Sequence, residues 1–445
     1  MFKAVAGYYK DNERLRLLVK IIAVWLISRA VMLLMVPVMN LIADEPHQWL
    51  YYMNPWDAEW YKGIVENGYQ PPKSSGMASW AFFPLYPLVC MAVRLVTMGS
   101  IDTYAVGMTV SNICIIIAVY YAVKYADIEL DMKKYNKKTV EDIIIFLMLA
   151  GPFAVYYGAM YTEALFILCV ILCFYNSARH NYMAAGIAAA MASATRIVGC
   201  MLVFVLITYM FMETCAECRA KHNSEMKDNK EAGIIDKCML TEEAGILIAG
   251  NISLASVIRT FIKNVIKEPK KLVAIMISPL GIFIYMLLYT ATHPVASMNY
   301  LRYFCGDSWA FYHVQRAWRT QKMFPVIGVL FKSCTGQLSA ASGVKTLNGI
   351  ILGWLCVITL MLYAAMIRKK HYALGIFGII VLLIPLTSSV MSTLRFIMGS
   401  FVIYIGVAEI IAGCNRYVRY GIITLLSIVE IVVISAWYFW DGLLM

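Results

Sequence analysis

The run LRLLVKIIAVWLISRAVMLLMVPVMNLIA, residues 15–43, decides the class of this protein. It is longer than the ~20 apolar residues that cross a bilayer. A secretory leader has a shorter apolar core and a small-residue cleavage site, so the run reads as a first spanning helix and not as a cleaved signal. The rest of the chain is built in the same way: 61% of its 445 residues are hydrophobic and 15% charged, with a mean hydropathy of +0.69. A soluble domain is about half apolar and about a quarter charged. No water-soluble core could hide this much apolar surface, which excludes a globular cytosolic protein and a disordered chain. The bilayer is the solvent. The fold expected is an all-α polytopic membrane protein, one domain over 1–445, with about eleven spans.

The formal charge of +11 would suit nucleic acid or basic cytoplasmic loops, and the positions of the charges separate the two. Lys3, Lys10, Arg14, Arg16 and Lys20 precede or open the first helix and put the N-terminus inside. The stretch 44–79 then lies outside, with Asp44, Glu45, Asp57, Glu59 and Glu66 against Lys62 and Lys73. If AFFPLYPLVCMAVRLV (81–96) spanned, the next helix, 104–125, would deliver Lys133, Lys134, Lys137 and Lys138 to the outside. We therefore read 81–96 as an interfacial helix within an external loop, 44–103.

Spans are expected at 142–159 and 161–178, with an outer turn at 159–161. The stretch 182–212 is broken at ATRIVG (194–199), because Arg196 at mid-bilayer would cost ~2.5–3.5 kcal/mol or more. A charged cytoplasmic loop, 213–271, contains an amphipathic segment at 251–266. A span at 272–292 leads to a second external segment, 293–343. Further spans follow at 344–367, 373–391, 396–413 and 419–440. This assignment places nearly every basic cluster on one side, so the charge explains topology and no nucleic-acid partner is expected. The twelve cysteines are scattered singly, and the lone CxxC, Cys215–Cys218, has no second pair. They read as packing residues.

Polar residues on the outer side need a different explanation. In NPWDAEWYKGIVENGY (54–69), Asp57 and Glu59 sit among Trp56, Trp60, Tyr61 and Tyr69. Such residues form ordinary interfacial belts, but an acid between indoles also suits a general base beside a sugar ring. Tyr161, Thr162 and Glu163 open a helix, where an acid can cap or can orient a partner. Arg196 and Arg395 lie at headgroup depth, where guanidinium forks suit phosphate oxygens; snorkelling or pairing with Glu163 is the alternative. In GDSWAFYHVQRAW (306–318), Asp307, Gln315 and Trp318 complete the set. His313 lacks an HxxH or HxH partner, so no metal is expected. No nucleotide-binding or GxSxG motif stands in a suitable context, and no cofactor is expected.

WDAEWY (56–61), AFFPLYPL (81–88), YTEALF (161–166), ATRIVG (194–199), GDSWAFYHVQRAW (306–318) and LRF (394–396), in this order, resemble the PIG-V mannosyltransferase family, a branch of the GT-C membrane glycosyltransferases. The resemblance implies a GT-C-like fold, a catalytic acid at Asp57 and a polyprenyl-phosphate sugar donor, with mannose as the sugar. Here threonine follows Tyr161 where the family has serine. On this reading Asp57 deprotonates an acceptor hydroxyl, and Arg196 and Arg395 bind the donor phosphate. Trp56, Trp60 and Trp318 shape a sugar pocket, with Glu59, Tyr61, Tyr161, Glu163, Asp307 and Gln315 as further substrate contacts. The expected acceptor is an envelope glycan or glycolipid at a prokaryotic plasma membrane, with the site external; in a eukaryote the membrane would be the endoplasmic reticulum. The competing class is a lipid or solute transporter, which calls for midplane charges and pseudo-symmetric halves; no internal repeat stands out.

Overall fold

The computed structural model describes residues 12–43, 45–70, 76–231, 253–290, 308–317, 325–337, 346–387, 390–439 and 444. Asp307, Trp318 and the Gln315 side chain lie outside what is described. Among the described residues the regular elements are all helical. They are α1 (Glu13–Ile42), α2 (Trp49–Met53), α3 (Asp57–Asn67), α4 (Leu85–Val96), α5 (Thr103–Glu129), α6 (Lys137–Leu149), α7 (Glu163–Ala178), α8 (Tyr182–Ser193) and α9 (Leu202–Glu231). There follow α10 (Leu254–Lys267), α11 (Pro269–Ile277), α12 (Leu280–Thr290), α13 (Ala310–His313), α14 (Val326–Cys334), α15 (Thr346–Arg368), α16 (Tyr372–Leu386), α17 (Thr393–Gly399), α18 (Val402–Gly413) and α19 (Arg416–Tyr438).

Side-chain caps set several starts. Asn12 accepts from the Leu15 N–H at 3.1 Å, Asp102 from Tyr104 at 2.8 Å, Asn136 from Thr139 at 3.1 Å and Asn415 from Val418 at 3.0 Å. The long apolar helices then have little choice of environment, and the chain is an integral membrane protein. Among the described residues five helices are long and apolar enough to cross a bilayer, or seven if two bent pairs each count once. The shorter apolar helices among the described residues are α4, α7, α8 and α16. At 1.5 Å per residue the twelve residues of α4 reach ~18 Å, too short to cross a ~30 Å core alone.

Several boundaries differ from the sequence reading. The helix expected at 142–159 ends at Leu149, just before Gly151–Pro152. The span expected at 272–292 is two helices, α11 and α12, bent by 46° at Ser278–Pro279, where proline lacks the N–H that would continue the ladder. The span expected at 396–413 is also two helices, α17 and α18, bent by 70°. Helix α9 continues through Glu231, so the stretch after 213 opens as helix and not as loop. The break at 194–199 is present: α8 stops at Ser193, Arg196 is extended, and a 3-10 turn over Ile197–Met201 leads into α9.

Ion pairs gather the basic clusters at one end of the bundle. Lys137 meets Glu13 at 2.7 Å, Lys20 meets Asp142 at 2.6 Å, Lys369 meets Glu409 at 2.9 Å and His371 lies 2.8 Å from Glu129. They tie the starts of α1, α6 and α16 to the ends of α5 and α18. At the other end, close backbone approaches hold the break before α9. A Cβ on Gly199 would lie 2.3 Å from the Ala192 carbonyl, and one on Gly281 2.3 Å from the Ala194 nitrogen. The Ala194 carbonyl left free by the break accepts from Leu85 N–H at 3.0 Å. The motif at 81–88 is thus fastened to the one at 194–199.

Candidate active site

Four charged side chains from four parts of the chain converge at that second end. Asp57 is the first residue of α3, Glu163 the first of α7, Arg196 stands at the break before α9, and Arg395 lies in α17. Arg395 Nη1 donates to Asp57 Oδ2, and its Nε donates to Glu163 Oε1 at 2.5 Å. Arg196 Nη1 donates to the same Glu163 oxygen at 2.7 Å. The order is therefore Asp57–Arg395–Glu163–Arg196. Burial is graded along it: Glu163 is 1% exposed and Arg395 10%, whereas Arg196 is 13% and Asp57 24%. Glu163 is a fixed counter-ion for two guanidinium groups, which solvates charge that the interior could not otherwise hold. Asp57 Oδ1 has no partner among the described residues.

The backbone at both ends of this chain of charges is unusual. Trp56, just before Asp57, has φ +46° and ψ −104°, an outlying conformation for a bulky residue. Ser392 and Phe401, which flank α17, have φ +62° and +50°. Such positions cost of order 1–3 kcal/mol each and persist where packing over-determines them. At Trp56 the restraint is visible. Its ring meets Trp437 of α19 edge-on at 5.4 Å, and Trp437 is fully buried against Tyr156 and Tyr161.

Tyr161 fixes the turn directly. Its hydroxyl donates to the Pro55 carbonyl at 2.8 Å and accepts from the Asp57 N–H at 3.3 Å, and its ring lies 4.9 Å from the Arg395 guanidinium carbon. Asn54 adds a second tie, its side-chain oxygen accepting from Met160 N–H at 2.7 Å. Tyr61 is buried one turn into α3, its hydroxyl 3.3 Å from Thr162 Oγ1. Burial, with the Asp57 carboxylate close by, pushes that hydroxyl well above the ordinary phenol range, so it stays protonated. Threonine in place of the family's serine keeps the hydroxyl that this contact needs.

The remaining expected residues are placed differently. Trp60 is half-buried and stacked on Phe82 at 5.7 Å. Glu59 is exposed, two positions further round α3, and the structure does not bring it to the cluster. Tyr61 and Tyr161 are buried beneath the acid and not displayed beside it. Trp437 and Tyr156 escaped the sequence reading, and Phe396, read there only as part of the LRF motif, places its ring 5.1 Å from the Arg196 guanidinium carbon. In apolar helices such aromatics have the same signature as belt residues. Among the described residues no three His, Cys, Asp or Glu side chains gather to hold a metal.

The family model described as Mannosyltransferase (PIG-V) matches residues 15–231. Over these residues, just under half of its length, the chain is similar to the PIG-V-type mannosyltransferases. Four of the six motifs lie inside the matched stretch; those at 306–318 and 394–396 follow it.

No curated protein matches the chain. Among solved structures, the apo form of an oligosaccharyltransferase from Archaeoglobus fulgidus is similar over 98% of this chain and 57% of its own, at 13% identity and a TM-score of 0.46. The archaeal oligosaccharyltransferase AglB from the same organism, in complex with an inhibitory peptide and a dolichol-phosphate, gives 98%, 56%, 12% and 0.43. The chain spans just over half the length of these structures.

Proposed function

We propose that this protein is an inverting glycosyltransferase that moves a hexose, mannose on the family's pattern, from a polyprenyl-phosphate carrier to a glycan or glycolipid acceptor. The observation that carries the reading is the Asp57–Arg395–Glu163–Arg196 chain, which puts a partly open carboxylate next to a guanidinium anchored from behind. An acceptor hydroxyl at Asp57 Oδ1 gives its proton to the carboxylate as its oxygen bonds to the anomeric carbon. The bond from that carbon to the phosphate oxygen breaks, and the electron pair leaves with the phosphate. General-base catalysis of this kind is typically worth about 10²–10⁴-fold.

Arg395 pairs with the same carboxylate that must act as base. A donor phosphate offers Arg395 and Arg196 a competing anion, and binding it draws Arg395 off Asp57. Positive charge then lies where the leaving group develops negative charge. Glu163 stays behind both arginines and keeps them aimed. Trp56 and Trp60 are the nearest indoles in sequence to the acid and remain candidate sugar contacts, with Asp307, Gln315 and Trp318 as further candidates. Tyr161 acts by holding the Asp57 turn. The separation of the basic end from this site favours a site on the outer face, and the membrane we assign is a prokaryotic plasma membrane.

Membranes containing the protein and a labelled polyprenyl-phosphate mannose should release free polyprenyl phosphate in proportion to added acceptor. A transporter or flippase would move the lipid and release none, and that result would overturn the proposal.

A further inference from the structure

At the end of the bundle away from Asp57, helix α10 (LASVIRTFIKNVIK) is about 21 Å long and carries no acidic residue. One side of it is seated on the protein. Val257 and Val265 are buried, Phe261 meets Phe211 of α9 edge-on at 5.7 Å, and Asn264 donates to Glu217 at 2.9 Å. The adjoining strip is not covered: Ile258, Ile262 and Ile266, four residues apart, are 43%, 51% and 64% exposed. Arg259, Lys263 and Lys267 run beside that strip on the next face round, exposed and without an ion-pair partner among the described residues. An apolar strip edged by basic side chains is the pattern of a helix lying in a membrane interface.

The fold sets the level of this helix. Only Glu268 separates α10 from α11, and α11 with α12 passes as one bent membrane span. That pair also leaves Leu272, Met276 and Phe283 exposed. Lys271 is taken by Glu213 at 3.0 Å and Glu268 at 2.8 Å, which pins the joint and leaves Lys270 outward with the other free cations. We infer that α10 lies in the headgroup layer of the leaflet opposite the site and binds anionic phospholipid. Its isoleucines enter the acyl boundary, and Arg259, Lys263, Lys267 and Lys270 hold headgroup phosphates. The inference does not depend on the transferase reading.

The test is hydrogen exchange on the full-length protein in nanodiscs of phosphatidylcholine alone or with phosphatidylglycerol. Amides of 254–267 should exchange about tenfold more slowly, or slower still, with the anionic lipid, and high salt should erase the difference. The R259Q/K263Q/K267Q variant should behave in both lipids as wild type does in phosphatidylcholine, while R259K/K263R/K267R keeps the effect. Equal protection in both lipids, an unaltered glutamine variant, or protection that rises with protein concentration at fixed lipid would overturn the inference; the last would mark a second protein copy as the occupant.

Discussion

Asp57 and Arg395 are 338 positions apart in the chain, yet Arg395 Nη1 donates to Asp57 Oδ2 in the folded protein. The same arginine reaches back to Glu163 through Nε. One guanidinium thus spans the acid proposed to act on the acceptor and the buried acid that anchors the site. Only a planar fork can serve both at once.

Arg395→Lys should therefore preserve charge and lose function. An ammonium can pair with Asp57 or with Glu163 but cannot fork between them. The expected loss in kcat is about 10²-fold or more, comparable to removing one donor from a developing anion. Steady-state assay of the purified variant checks it. Near-wild-type kcat would show that charge alone suffices.

Glu163→Gln should act mainly on stability. It leaves Arg196 and Arg395 buried against a neutral amide, and breaking a buried ion network in this way typically costs about 3–5 kcal/mol. A fall in the thermal midpoint of the detergent-solubilised protein, alongside lost activity, is the expected result.

Tyr161→Phe removes one hydroxyl that holds Pro55 and Asp57 in place. Its stability cost should be modest, about 0.5–1.5 kcal/mol. Because the strained turn at Trp56 loses its tie, kcat should fall by roughly 10- to 100-fold with KM little changed, as expected when a reacting group is misplaced. A raised KM with unchanged kcat would instead mark Tyr161 as a substrate contact.

Gly199→Ala tests the joint that delivers Arg196. The added methyl would lie 2.3 Å from the Ala192 backbone, and neither segment can yield without moving the break. Destabilisation of about 1–3 kcal/mol or more is expected, read as a lower thermal midpoint.

Much of this arrangement was legible in the sequence because charge inside apolar stretches is expensive. Arg196 stands out for that reason, and the break at 194–199 follows from keeping it out of the hydrocarbon; Asp57 stands out as an acid among indoles in an external loop, and Glu163 and Arg395 as charges at the outer ends of apolar helices. The bends at 278–279 and 400–401 did not stand out. Proline can be carried within an apolar span, as Pro37 is in α1, so Pro279 alone did not signal a bend. Phe401 takes up a left-handed conformation that its residue type gives no hint of. Aromatic roles were also hidden. Tyr161, Tyr61 and Trp437 carry the signature of belt residues, and only the structure shows that Tyr161 bonds the backbone of the Asp57 turn, that Trp437 packs on Trp56 and that Tyr61 is buried against Thr162.

The most direct measurement is single-turnover transfer from labelled polyprenyl-phosphate mannose by wild-type protein and by Asp57→Asn, each first shown to be equally folded by thermal midpoint. The asparagine variant should bind the donor yet release polyprenyl phosphate at least about 10²-fold more slowly. Release at the wild-type rate would remove Asp57 from the chemistry and contradict the mechanism.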